Sequence, residues 1–270
     1  KPTDLKDFSR KAQIVNYDSH RAMMEAWNSK MWNSTSGLLL WMSHPAWPSM
    51  VWQIYSWDYE TFGSFYGCRK ACEPIHIQKN LDDQKVVVVN TSLKEIKGAK
   101  VIYEVYSLEG KSLFKRTSKL NVLANGLTEC FVQDKPISAS GVYMERLILQ
   151  DKRGKVISIN DYWQDNGEGD FQGFNALEEA SINCKLIRQK ESQIQIELQN
   201  TGAMPALALK LNVREADTDK RILPAYASDG YFNLLPGEKR TVTVEYVSRG
   251  KVAISAEGYN LKRSRLLTLK

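Results

Sequence analysis

The chain has 270 residues, 43% hydrophobic and 25% charged, with 37 Lys and Arg against 31 Asp and Glu for a formal net charge of +6. Enough apolar surface is available to offset the ordering entropy, which excludes intrinsic disorder. No stretch approaches the roughly 18 consecutive apolar residues that a membrane-spanning helix needs, and the length predicts two domains or three small ones.

The helical elements come first. Over residues 8–27, Phe8, Ala12, Val15, Ala22, Met23, Ala26 and Trp27 recur at three- and four-residue steps, the mark of an amphipathic helix. A turn cluster follows at Asn33-Ser34-Thr35-Ser36-Gly37. Leu38-Leu39-Leu40-Trp41-Met42 is a continuous apolar run, which predicts a parallel strand buried on both faces. A second helix is expected over 59–72.

From Ile75 onward, apolar and polar residues alternate. Val86 to Val89, then Val101, Tyr103 and Val105, mark strands. Turns are expected at Leu108-Glu109-Gly110-Lys111, Asn125-Gly126 and Asp151-Lys152-Arg153-Gly154,. The acidic, Gly-rich stretch 161–175 reads as a linker. Beyond it, Ile194, Ile196 and Leu198 share one face, as do Leu207, Leu209, Leu211 and Val213, and Leu235-Pro236-Gly237-Glu238 is a turn. Short strands at this spacing predict two antiparallel sandwiches of immunoglobulin size, alike in length but with no repeated motif.

Several classes of partner are set aside. The densest cation clusters, 111–119 and 262–265, are short and interleaved with apolar or hydroxyl residues, so no nucleic-acid stripe is expected. Cys68, Cys72, Cys130 and Cys184 form no C-x-x-C and read as free thiols. The acidic run Asp165 to Asp170 lacks the closing Glu of an EF-hand loop, and His20 and His76 have no neighbour that suggests a metal. Neither a metal nor a cofactor is expected, nor a membrane partner. The chain begins at Lys1 rather than Met, without a basic-then-apolar leader, which predicts residues upstream.

The densest chemical signal is Trp41-Met42-Ser43-His44-Pro45-Ala46-Trp47-Pro48-Ser49-Met50-Val51-Trp52, three tryptophans in twelve residues. Indole faces stack on the apolar face of a sugar ring, and His or Ser can hydrogen-bond its hydroxyls; the competing reading is core packing.

These residues resemble a family. Gly37-Leu38-Leu39-Leu40-Trp41-Met42, Ala46-Trp47-Pro48-Ser49, Trp52-Gln53-Ile54-Tyr55 and the stretch from Phe65-Tyr66-Gly67-Cys68 to His76-Ile77-Gln78 are similar to glycoside hydrolase family 2. The branch is that of the exo-β-D-glucosaminidases and β-mannosidase-type enzymes. The match is dense over 10–89 and looser through the sandwiches. It implies a mainly β fold: residues 1–79 as the closing segment of a (β/α)8 barrel, then immunoglobulin-like sandwiches at 80–176 and 177–270.

The resemblance also implies a C-terminal portion of a retaining exo-glycosidase acting on terminal β-linked glucosamine or mannose. Such enzymes use two carboxyls. By the resemblance, both glutamates lie before Lys1, so the chain alone is expected to be inactive. Its partners would be the oligosaccharide and the rest of the enzyme, in a secreted or periplasmic setting. Trp41 would floor the sugar subsite, with His44 and Trp47 at its rim. A reading from another class is a non-catalytic carbohydrate-binding or adhesion module.

Overall fold

The computed structural model describes residues 2–49, 53–133, 141–165, 167, 169–247 and 250–269. Helix α1 spans Leu5–Asn28 and α2 spans Gly63–Ala71. The predicted second helix therefore starts four residues late, because 56–60 fold into a tight turn in which the Ser56 N–H donates to the Glu60 carbonyl (3.1 Å). The chain divides into two compact units, one of residues 20–39 and 68–176, the other of 1–19, 40–67 and 177–270.

Among the described residues of the first unit the strands are β1 (Ile75–Lys79), β2 (Lys85–Asn90), β3 (Ile96–Ser107), β4 (Ser112–Val122), β5 (Gly126–Val132), β6 (Tyr143–Gln150) and β7 (Val156–Gln164). They form antiparallel sheets in the orders β1-β2-β5 and β4-β3-β6-β7. Between the sheets lie Ile77, Val86, Val88, Val101, Tyr103, Leu147 and Leu149. The strand β4 carries Lys115, Arg116 and Lys119 of the 111–119 cluster on a largely exposed surface, as a solvated strand face should. All three predicted turns join strands here. At one of them Asn125 takes a left-handed φ of 47°, which Asn tolerates better than most residues. The expected linker at 161 begins later, because β7 runs on to Gln164 and Asp161 is fixed by Arg146 through bonds of 2.7 and 2.8 Å.

In the second unit the strands are β8 (Ile182–Lys190), β9 (Gln193–Asn200), β10 (Ala206–Glu215), β11 (Ala225–Ala227), β12 (Phe232–Leu234), β13 (Lys239–Tyr246), β14 (Val252–Glu257) and β15 (Ser264–Leu269). The sheets run β12-β10-β14-β15 and β11-β13-β9-β8. The period-2 burial of β9 sends Ile194, Ile196 and Leu198 inward, as alternation requires. They meet Leu209, Leu211, Val242, Val244 and Ile254 in one core, against which Tyr66 of α2 and Tyr17 of α1 also pack.

The sequence shows no repeat between the sandwiches, yet the structure contains one. Asn90 closes β2: its amide donates to the carbonyls of Lys94 (2.9 Å) and Leu123 (2.8 Å) while its Oδ1 accepts from the Ser92 N–H. Asn200 closes β9 the same way, donating to Met204 (2.8 Å) and Leu234 (2.9 Å) and accepting from the Gly202 N–H. The following threonine in each case bonds back through backbone and hydroxyl to one carbonyl, Pro74 for Thr91 and Ser181 for Thr201. These corners satisfy strand-end carbonyls that would otherwise be buried unpaired.

One predicted element is corrected. Leu38–Met42 is not a strand; the stretch is irregular, with Leu39 97% and Trp41 82% exposed. A parallel strand needs hydrogen-bonded neighbours on both edges, and none among the described residues pairs with it.

Candidate functional site

The tryptophan loop lies in the second unit, and its third indole, Trp52, falls outside the described residues together with Met50 and Val51. Within this chain the other two do not pack into a core: Trp41 is 82% and Trp47 69% exposed. The loop is nevertheless anchored. The Ser43 carbonyl accepts from both the Ile54 and Tyr55 N–H groups at 3.0 Å, and Pro45 is buried. On either side, Met42 and Tyr59 hold left-handed φ values of 63°, which ordinary residues adopt only under constraint.

His44 is half-buried and packs against the Tyr59 ring at a centroid distance of 5.0 Å, with its Nδ1 3.5 Å from the Ser43 hydroxyl. The three residues expected at a sugar site thus fall on one anchored loop, two as exposed indoles and one as an imidazole set on a tyrosine. The carboxylates nearby in sequence are occupied: Asp58 accepts from Arg221 (3.1 Å) and Glu60 pairs with Lys210 and Arg221. Asp58 and Arg221 line a shallow cleft of about 360 Å³ with Glu215, Ile222 and Leu223. Gln53, four-percent exposed, buries a side-chain carbonyl that has no donor among the described residues.

A second polar cluster, not expected from the sequence, lies in the first unit. Glu25 of α1 is buried and accepts from His76 Nε2 (2.9 Å), Asn160 Nδ2 (2.7 Å) and the Tyr162 hydroxyl (3.0 Å). The other ring nitrogen of His76 faces Glu73 (3.3 Å), which also accepts from Ser158 (2.6 Å) and Lys70 (2.7 Å). Arg21 donates to Asn160 (3.0 Å) and stacks on the Tyr162 ring at 4.4 Å. Deeper in, Lys79 and Glu145 form a buried pair with bonds of 2.9 and 2.7 Å, and Tyr103 donates to the same carboxylate.

Charge follows from these contacts. Burial works to lower the His76 pKa, but the hydrogen bonds to Glu25 and Glu73 overcome it and raise the value above its usual 6.5,. Burial would raise Glu73; His76 and Lys70 outweigh it and hold the carboxyl at about 2. Burial, then the Glu25 charge, pushes the Tyr162 hydroxyl well up. Both carboxylates and both ring nitrogens of His76 are engaged within the cluster, which fastens α1 to β1 and β7. The one sequence hint was β1 itself, Ile75-His76-Ile77-Gln78-Lys79, whose alternate polar residues would face water if no helix covered them.

Residues 160–261 match the family model described as the exo-β-D-glucosaminidase Ig-fold domain. The crystal structure of the Amycolatopsis orientalis exo-chitosanase superposes with a TM-score of 0.89 at 27% identity, over 98% of this chain and 35% of that one. The chain is thus similar to an exo-β-D-glucosaminidase over nearly its whole length. An exo-β-D-glucosaminidase of Arthroderma benhamiae is 27% identical over 97% of this chain and 32% of its own length. A mannosylglycoprotein endo-β-mannosidase of Lilium longiflorum is 27% identical over 96% of this chain and 34% of its own. The chain thus spans about a third of the length of the curated relatives it matches.

Proposed function

We propose that this chain is the C-terminal part of a retaining exo-β-glycosidase acting on terminal β-linked glucosamine or mannose in a secreted or periplasmic setting. In this reading Trp41, His44 and Trp47 form part of the sugar subsite. The sandwiches are accessory domains, and the catalytic glutamates belong to the remainder of the enzyme. The supporting observation is the anchored loop that holds Trp41 and Trp47 out to solvent at 82% and 69% exposure, since exposed indoles on a fixed backbone are what stacking on a sugar ring requires. Positioning groups without reacting carboxyls supply little rate, so the purified chain turns over neither aryl β-glucosaminides nor aryl β-mannosides.

The test is NMR titration of the purified chain with glucosamine and with mannose, a method that detects millimolar binding. The Trp41 and Trp47 indole resonances shift with one sugar or both, and the shift is lost in Trp41→Ala. Turnover by the isolated chain, or indoles indifferent to both sugars, overturns the reading. Specific binding of long oligosaccharides at the sandwiches with no response from the loop would favour a non-catalytic binding module instead.

A further inference from the structure

Lys210 sits on β10 among Leu209, Leu211 and Asn212, and only 8% of it is exposed. A lysine so deep in a strand needs a partner to offset the lost hydration. Its partner comes from far along the chain: Lys210 Nζ pairs with Glu60, 150 residues away. Arg221, in the bridge that pairs with Arg214, reaches the same turn and holds both Glu60 and Asp58, the latter at 3.1 Å. Two cations of the second sandwich therefore grip the residues on either side of Tyr59.

That grip acts on a strained point. Tyr59 has a left-handed φ of 63°, a conformation that persists in a bulky residue only when its surroundings over-determine it. Inside the turn, the Ser56 carbonyl accepts from Tyr59 N–H (3.0 Å), the Ser56 hydroxyl accepts from Glu60 N–H (2.9 Å), and the same hydroxyl donates to Asp58. The ring of Tyr59 then bears on His44 at 5.0 Å. We infer that Lys210 and Arg221 are positioning residues of the tryptophan loop: by clamping Asp58 and Glu60 they fix Tyr59, and Tyr59 fixes the imidazole of His44. The consequence for sugar binding rests on the proposed role of His44, while the clamp stands on its own geometry.

The experiment follows the ring-to-ring NOE between Tyr59 and His44 in the full chain without sugar, with the methyl resonances of Ile194, Ile196 and Leu198 as a control for the core. Arg221→Met and Lys210→Met abolish the NOE and leave the core methyls in place. Arg221→Lys keeps a cation within reach and retains it. An NOE that survives both Met variants overturns the inference. So does its loss together with the core methyls, since the pairs would then serve folding alone, and so does failure of Arg221→Lys to retain it. Glucosamine added afterwards shifts His44 in the unaltered chain and in Arg221→Lys, and not in Arg221→Met. If the NOE behaves as expected but no sugar moves any loop resonance in the unaltered chain, the clamp stands and the sugar subsite falls.

Discussion

Replacement of Glu25 by alanine tests how the first sandwich is fastened to the chain before it. Three donors converge on the carboxylate, from His76, Asn160 and Tyr162, but they do not suffer equally. Asn160 Nδ2 keeps the Ile77 carbonyl at 3.0 Å and the Tyr162 oxygen at 2.8 Å. His76 Nε2 loses its carboxylate in a fully buried site, and so does the Tyr162 hydroxyl hydrogen, whose oxygen otherwise only accepts, from Lys79 N–H (3.0 Å) among others. Two stranded donors at about 1–3 kcal/mol each give a loss of about 4 kcal/mol, in line with about 3–5 kcal/mol for breaking a buried ion pair from one side. Glu25→Gln retains an acceptor and should cost less. Hydrogen exchange resolved by mass spectrometry is the assay, because a chain of two units need not unfold as one. Protection falls in β1, β7 and the C-terminal end of α1, and the strands β8 to β15 are unchanged. A loss below about 1 kcal/mol, or a loss spread equally over β8 to β15, refutes the assignment of the cluster as a fastening.

The same cluster sets a pH optimum. Glu73, held at about 2 against its ordinary 4.5, contributes stability above pH 4.5 that is lost as pH falls towards 2; His76, raised above 6.5, contributes fully below 6.5 and loses its contribution as pH climbs through its raised value,. Thermal midpoints should therefore peak between about 4.5 and 6.5, and His76→Gln should flatten the alkaline side, as fluorimetry over a pH series would read. Gly230→Ala places a methyl 2.8 Å from carbons of the Tyr66 ring. Tyr66 is buried in the second core, so a loss of about 1–3 kcal/mol is expected on denaturant titration, and an unchanged midpoint would contradict the packing. Trp41→Ala and Trp47→Ala remove exposed side chains and should leave stability within about 0.5 kcal/mol; a larger loss by calorimetry would mean the indoles pack after all.

Much of the β architecture was readable because alternation and turn chemistry are local. Ile194, Ile196 and Leu198 declare one face of a strand, and Asn125-Gly126 declares a turn, whatever the rest of the chain does. Leu38 to Met42 misled for the opposite reason: an apolar run says that a segment seeks cover, and whether it becomes a strand depends on neighbours the segment does not encode. The tryptophan loop stood out by composition, but its bracing did not, since Glu60 and Lys210 are 150 residues apart. Glu25 and His76 are 51 apart, and each looks ordinary alone, one on a helix surface and one on the polar side of a strand. Pairing across such separations is a property of the folded chain.

The corner at Asn90 has a consequence for the choice of expression host. Asn90-Thr91-Ser92 spells an acceptor for N-linked glycans,, yet Asn90 is fully buried and its amide is committed to Lys94 and Leu123. A glycan added during translocation would take that nitrogen and leave a strand-end carbonyl without its donor, so the modified chain could not close the corner. Asn33-Ser34-Thr35 carries the same signal on an exposed turn and would accept a glycan without disturbing the sheet. In a eukaryotic secretory host, occupancy at Asn90 would mark chains that missed the fold, while occupancy at Asn33 would mark those that passed through it.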